Sequence, residues 1–256
     1  MSDRIRLGGM ALANGVLVHG PTSWACAVRL PDGTLKVAAR RKRLQAAEVR
    51  SPLLRGPARL VEAFSLLPLV KRALPEAKLP FERPQVVAAM LGTVVTSSAV
   101  RRSGLRPVAK ELLGSLLSLA PAVLALRGGE LAAYHGAEHV SIGSYEHGEA
   151  RPKEHERCGS HLVGPMVLTS AAAGVLSERA PLRYRQAARA AGALGAGAAS
   201  TEIFAWMTRN PKHPLARALA KPGHELQHRV GTDEPTPEQL EVAEAALRAC
   251  LELETR

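Results

Sequence analysis

The sequence YHGAEHVSIGSYEHGEARPKEHERCGSH, residues 134–161, places a polar segment among apolar ones and therefore constrains how the whole chain folds. Five of the nine histidines lie in this segment, together with Cys158. Two uncharged apolar stretches precede it and two follow it. We call residues 127–161 the polar island. Because histidine, cysteine and glutamate are concentrated in it, we expect the chemistry of the protein there.

The clearest signal in the polar island is the order His135-Gly-Ala-Glu138-His139. Positions i and i+4 of a helix lie on the same face, so both imidazoles can point at one ion. Glu138 would lie beside them as a general base. This is the H-x-x-E-H order of the inverzincin metallopeptidases. The motif therefore predicts a divalent metal, with zinc preferred because imidazole, thiolate and carboxylate all bind it.

Two histidines leave a catalytic zinc site one protein ligand short, since such sites use three protein ligands and a water. Cys158, His155 and Glu202 are the candidates for the third ligand. A carboxylate inside an apolar helix, as at Glu202, needs a metal or a positively charged partner. The motif fixes only three residues, so a hydrogen-bonded polar face without metal is the alternative interpretation.

The composition favours an anionic partner. The 256-residue chain has a net charge of +11 and a pI near 10.2. Aromatic residues make up 3% of the chain and no nucleic-acid motif is present, so we expect anionic membrane lipid and not nucleic acid. The three cysteines are widely spaced, which argues against a disulfide framework. The N-terminus MSDRIRLGGM lacks the apolar core of a signal peptide.

The N-terminal part reads as β-structure. A short apolar run at residues 15–20 is followed by SWACAVRL, a Pro31-Asp32-Gly33 turn and TLKVAA, which predicts a hairpin. Trp24, Cys26 and Val28 would share one side of the first of these strands. The basic stretch that follows, residues 36–59, would be attracted to anionic lipid.

Four apolar stretches of 15 to 19 residues, uncharged except for Glu202 in the last, predict helices, and they lie at residues 84–100, 112–126, 162–177 and 190–208. A membrane-spanning helix needs about 20 apolar residues, with a lower limit near 17. Their lengths and their many small residues fit close packing in a membrane, and a soluble bundle with buried apolar helices is the alternative. We expect a location in or tightly on the cell membrane, with the orientation open.

The C-terminal part reads as soluble. Pro222-Gly223 predicts a break in the chain. Thr236-Pro237-Glu238-Gln239 predicts a capping box at the start of an amphipathic helix, whose apolar stripe includes Leu240, Ala243 and Cys250.

The chain resembles the YqhQ-like family (DUF1385) of bacterial membrane proteins, which are uncharacterised and described as metal-dependent. Similar N-terminal elements are GGMALANGVLVHG and PLLRGPARLVEAF, although His19 stands where the family often has arginine. The resemblance implies several membrane helices and a metal site, but it implies no reaction. It marks Tyr134 to His139, Tyr145, Glu146, His155, Arg157, Cys158, Glu202 and Pro222 to Ala243 as motif positions.

The sequence thus predicts one mainly α domain over residues 1–256. We expect a small β-hairpin region at 5–40, an apolar, membrane-associated bundle at 84–210 that includes the polar island, and a helical segment at 222–256. Two functions stay open. One is a membrane-associated, zinc-dependent hydrolase acting on a protein or peptide, with Glu138 as the base. The other is a non-catalytic metal-binding membrane protein with a structural or regulatory role in ion handling.

Overall fold

A computed structural model describes residues 4–127 and 130–255 of the chain. It is mainly helical with an antiparallel sheet at the N-terminus, which confirms the predicted fold class. The helices are α1 (Pro52–Ala73), α2 (Pro84–Arg102), α3 (Pro107–Ser118), α4 (Ala120–Leu126), α5 (Leu131–His147), α6 (Val163–Glu178), α7 (Arg185–Arg209), α8 (Pro214–Leu226) and α9 (Pro237–Glu254).

The sheet is wider than the single predicted hairpin. Its antiparallel strands are arranged in sequence order as β1 (Gly8–Leu12), β2 (Gly15–His19), β3 (Ser23–Arg29) and β4 (Leu35–Arg41). The hairpin around Pro31-Asp32-Gly33 joins β3 to β4, with Gly33 at a positive φ of 85°. Strands β1 and β2 also pair, because the short loop at Ala13 and Asn14 turns the chain back on itself.

Strands β2 and β3 are buried on both faces, which explains why they are almost continuously apolar. Trp24, Cys26 and Val28 lie on one face, as predicted, and pack in a cluster with α1 residues such as Leu66 and Val70. Alternate residues of the same strands face the other way and pack against α5 and α9. The sheet is therefore the middle layer between α1 and the helix of the H-x-x-E-H motif.

The four apolar stretches form helices near the predicted positions, with the second stretch divided between α3 and α4. Among the described residues, two segments are long and apolar enough to cross a membrane by length and composition, and they are Val108–Leu126 and Gly159–Glu178. Several large apolar side chains of these helices are exposed. Leu91 and Val95 of α2, for example, are 64% and 68% exposed. Such a surface is compatible with contact with lipid.

The C-terminal helix begins as predicted, with a capping box between Thr236 and Gln239. Its stripe of Val242, Ala243, Ala246 and Cys250 is buried against the sheet. The predicted break at Pro222-Gly223 is wrong, because α8 continues through both residues to Leu226. Gly223 is buried where α8 meets the backbone of Ser160 and His161, a contact that a Cβ would obstruct.

The motif helix α5 touches the exposed apolar helices only at its first residues, where Leu131 joins the cluster that includes Ala125 of α4. It packs mainly on β1 and α9, and the polar loop that follows it leads into α6 through a 3₁₀ turn at Gly159–Leu162. The polar island is thus supported by the sheet, and its last residues are those that begin the candidate span Gly159–Glu178.

Candidate metal centre

Helix α5 has two chemically different sides. Tyr134, Ala137 and Ile142 are buried in the apolar cluster shared with the sheet and α9. The side that carries His135 and His139 faces the polar loop of residues 148–158. The packing of these apolar residues against the sheet and α9 holds the rotation of α5 about its axis and thereby aims the imidazoles at the loop.

His135, His139 and Cys158 converge at this point. One potential ligand atom from each residue lies within 4.8 Å of the other two. The Sγ of Cys158 is 3.6 Å from the Nε2 of His135, and the two imidazole centroids are 4.3 Å apart. The structure thus brings Cys158, one of the three candidates for the third ligand, to the histidine pair.

The other nitrogen of each imidazole is held by the backbone. The Nδ1 of His135 lies 2.7 Å from the carbonyl oxygen of Gly231, and the Nδ1 of His139 lies 2.6 Å from that of Lys153. A carbonyl can only accept, so each Nδ1 must carry the proton and donate. Each Nε2 then keeps a free lone pair facing the cluster. Metal-binding histidines are usually oriented in this way.

Glu138 lies beside the cluster, with Oε2 4.0 Å from the Nε2 of His135. The residue is buried, and burial raises the pKa of its carboxyl group although the nearby His135 and His155 act in the opposite direction. Gly9 of β1 makes room for it, because a Cβ at Gly9 would overlap the Glu138 carboxylate. Burial also lowers the pKa of His139, which favours its neutral form.

A small cavity connects these groups. It has a volume of about 150 Å³, and its wall includes Gly8, Gly9, His19, Glu138 and Arg157 besides the three clustered residues. Pockets for whole drug-sized ligands measure roughly 300–1,000 Å³. The cavity therefore has room for a few waters or for the reacting group of a larger molecule.

His155 lies next to the cluster in a different bonding pattern. Its Nδ1 accepts from the backbone N–H of Arg157 at 3.3 Å, so its Nε2 carries the proton in the neutral form. That Nε2 lies 3.6 Å from Oε2 of Glu146. Although burial opposes the effect, the nearby Nε2–H of His155 and the charge of Arg157 lower the pKa of Glu146.

The remaining predicted residues lie at different places. Tyr134 is buried in the apolar cluster behind the site. Tyr145 stacks beneath Arg4, whose guanidinium carbon is 5.8 Å from the ring centroid. Arg157 pairs with Glu146 at the cavity wall. Glu202 lies on α7, outside the cluster of the three potential ligands. Both of its carboxylate oxygens accept hydrogen bonds from Arg55. Arg55 is therefore the positively charged partner that a carboxylate in an apolar helix requires.

Sequence reasoning missed two residues that complete the site. His19 lines the cavity, and its Nδ1 is 2.9 Å from the ammonium of Lys42, which itself forms a buried ion pair with Glu62. Gln227 is fully buried and bonds the backbone of His155, the hydroxyl of Ser160 and the ring of His161. Gln227 lies within the Pro222 to Ala243 motif and His19 within the GGMALANGVLVHG element, but the sequence predicted no role at the site for either residue. Gln227 directly follows α8, a helix that the sequence predicted to break at Pro222-Gly223.

Comparison with known proteins finds a family match over the part of the chain that holds this cluster. Residues 130–253 match the family described as "Protein of unknown function (DUF1385)", which supports the resemblance seen in the sequence. No curated protein and no solved structure matches the chain.

We expect His19 to make stability depend on pH. Burial, together with the ammonium of Lys42, lowers the pKa of His19 from 6.5 to about 4. Between these pH values the unfolded chain therefore binds a proton that the folded chain does not bind. The free energy of unfolding consequently falls as the pH decreases from about 6.5 towards 4. The advantage of the parent over His19→Asn in the thermal midpoint should shrink by ~2 °C or more between about pH 7.5 and pH 5.

The matched control is His224→Asn, which removes an exposed histidine on α8. Its difference from the parent should stay constant over the same pH range. A difference between His19→Asn and the parent that is also independent of pH would contradict the burial of a neutral His19.

Proposed function

Because residues 130–253 match the DUF1385 family, whose name assigns no activity, we propose from the site itself that the protein is a membrane-associated, zinc-dependent hydrolase. Its substrate class is a protein or peptide. The observation that carries the proposal is the convergence of His135, His139 and Cys158 with both Nδ1 atoms held by backbone carbonyls.

The donor set fits zinc. Two imidazole nitrogens and one thiolate are ligands that zinc binds in tetrahedral sites, and three protein ligands are the number typical of catalytic zinc. The cavity beside the cluster supplies space for a fourth, non-protein ligand. A zinc ion held there would act as a Lewis acid and would make water acidic enough to react near neutral pH.

The chain's own residues would divide the remaining work. Glu138 would take the proton from the attacking water, and its burial raises its pKa towards the range that suits a base at neutral pH. The carbonyls of Gly231 and Lys153 would keep both imidazoles in the ligand tautomer. The small cavity would admit only the bond to be cut, while the rest of the substrate would lie outside.

The membrane part of the proposal rests on the exposed apolar helices. Val108–Leu126 and Gly159–Glu178 meet the length and composition of membrane spans, and large apolar side chains of α2 and α3 are exposed. Burying such a surface in lipid would remove it from water. The metal centre lies on the side of the molecule that carries the sheet. It would therefore be outside the hydrocarbon layer of the membrane.

A second candidate function is non-catalytic metal binding. His155 is the observation that favours it, because its ring centroid is 5.5 Å from that of His139 and its buried Nε2 has no hydrogen-bond partner among the described residues. If the His155 ring turned towards the cluster, four protein ligands would close the coordination shell. Closed shells are typical of structural zinc.

Metal content tests the ligand set. We expect the full chain, purified in detergent, to hold about one zinc per molecule by elemental analysis, and His135→Ala and Cys158→Ser to lose it. The matched control His147→Ala removes an exposed histidine from the same helix and should keep the metal. Retention of a full zinc equivalent by both ligand variants would refute the site. His155→Ala should also keep zinc in the catalytic alternative and lose it in the closed one.

Hydrolysis tests the role of Glu138. We expect the zinc-loaded protein to cleave some peptides of a mixed library. Mass spectrometry of the digest would detect the cleavage products. Glu138→Gln should keep its zinc and slow cleavage by about 10²- to 10⁴-fold, because it removes the general base. Glu156→Gln, which changes a more exposed glutamate of the nearby loop, should cleave like the parent. Equal cleavage by Glu138→Gln, or zinc-loaded parent without cleavage, would favour the non-catalytic function.

Fractionation tests the membrane association. We expect the native protein to sediment with membranes, to stay there after an alkaline carbonate wash and to be released by detergent, because its apolar helices would be buried in lipid. The measurement is immunoblotting of each fraction. Recovery of most of the chain in the carbonate supernatant would exclude integral association.

A further inference from the structure

A second, larger groove is lined by α8 and by His161 of the 3₁₀ turn that follows Cys158. It has a volume of about 600 Å³ and is formed where α8 packs beside the start of α6. Its lining residues with hydrogen-bond donors are Arg217, Lys221 and His224 of α8, together with His161. It shares no lining residue with the cavity of the metal centre.

The groove is positively charged. Arg217 and Lys221 lie one helical turn apart and are exposed, and neither has an ion-pair partner within residues 4–127 and 130–255. None of the described residues that line the groove is acidic. The neighbouring Glu225 bonds to Arg229 at 2.8 Å and is thereby neutralised. Guanidinium and ammonium groups in this arrangement suit a phosphate, which accepts several charge-assisted hydrogen bonds.

The basic stretch at residues 36–59 offers less free charge than its composition suggests. Lys42 is buried against Glu62, and Arg55 is paired with Glu202. Lys36 pairs with Glu76. These positive charges are already partly compensated inside the protein, whereas those of the groove are directed to solvent.

His161 gives the groove a built-in donor. The residue is only 6% exposed. Gln227 fixes the tautomer of His161. The side-chain carbonyl of Gln227 accepts from the backbone N–H of His155, so the Gln227 amide nitrogen Nε2 faces the Nδ1 of His161 at 3.1 Å. Since Nδ1 accepts, the proton of the neutral ring must be on Nε2. A buried N–H with a fixed orientation is thus available on the groove wall.

The position of the groove indicates the source of the phosphate. Helices α6 and α7 form an antiparallel pair joined by the short segment at residues 179–184, so the start of α6 and the end of α7 lie at the same end. Gly159–Glu178 is a candidate span, and the groove is at its first residues. Trp206, near the end of α7, packs edge-on against His213 at 5.1 Å. Tryptophan followed by basic residues is typical of the membrane interface.

We propose that this groove binds the phosphate group of an anionic membrane lipid through Arg217, Lys221 and the Nε2–H of His161. The acyl chains would extend along the exposed apolar helices. This inference uses the membrane association proposed above, but it does not depend on the metal centre or on hydrolysis.

Titration of the purified full chain in neutral detergent tests the proposal. The probes are short-chain phosphatidic acid, phosphatidylcholine of the same chain length and inorganic phosphate, with binding followed by calorimetry. We expect saturable binding of phosphatidic acid and weaker binding of phosphatidylcholine. Arg217→Gln/Lys221→Gln should weaken phosphatidic acid binding by about tenfold or more, since each variant residue loses a charge-assisted hydrogen bond.

The matched control is Arg101→Gln/Arg102→Gln, which removes the same charge from the exposed end of α2 and should leave binding unchanged. His224→Gln gives a second, milder change in the groove and should weaken binding less. Tight binding of inorganic phosphate that the groove variant loses would support the site and assign it to a free phosphate. Equal binding of phosphatidic acid by the groove variant and the parent would overturn the proposal, and so would equal loss in the α2 control.

The zinc content separates this inference from the proposed function. It should be the same in the parent and in the groove variant, because the groove and the metal cavity have different walls. A zinc-free parent that still binds phosphatidic acid through Arg217 and Lys221 would therefore support the groove while the hydrolase proposal failed.

Discussion

The helix α5 is held on two sides, and the rest of the site depends on that double constraint. Its apolar side is buried against the sheet and α9, which fixes its rotation. Its polar side is fixed by two backbone carbonyls, from Lys153 in the loop after α5 and from Gly231 before α9. The imidazoles of His135 and His139 are therefore oriented towards one point by contacts within the protein itself. A site arranged in advance loses less entropy when it binds an ion.

The same architecture surrounds Glu138 with close-packed groups. A Cβ at residue 9 of β1 would overlap the Glu138 side chain, and the carboxylate is enclosed next to the two histidines. Its raised pKa is the electrostatic consequence of that enclosure. On the far side, Gln227 joins the loop of Cys158 to the wall of the basic groove. The proposed metal centre and the proposed lipid site thus share one rigid polar connection while facing different cavities.

Local patterns in the sequence predicted local structure well. The i, i+4 spacing of His135 and His139 and the capping box at Thr236 required only helix geometry, and both lie where they were expected on their helices. The choice between Cys158 and Glu202 could not be made in this way, because it depends on which helices pack together. Arg55, far away in sequence, pairs with Glu202, while the 3₁₀ turn brings Cys158 to the cluster. Pro222-Gly223 was misread for a similar reason, since the glycine serves a close contact between α8 and the loop. Likewise, His19 and Gln227 acquire their roles only through tertiary contacts.

X-ray absorption spectroscopy at the zinc edge of the zinc-loaded full chain tests the central claim most directly. The account predicts one sulfur at about 2.3 Å and two imidazole nitrogens at about 2.0–2.1 Å, with a light atom completing the shell. Cys158→Ser, which should lose the zinc, should give neither the sulfur nor the imidazole signal. A shell of oxygen alone, or a sulfur signal that persists in Cys158→Ser, would show that these three side chains do not form the metal centre.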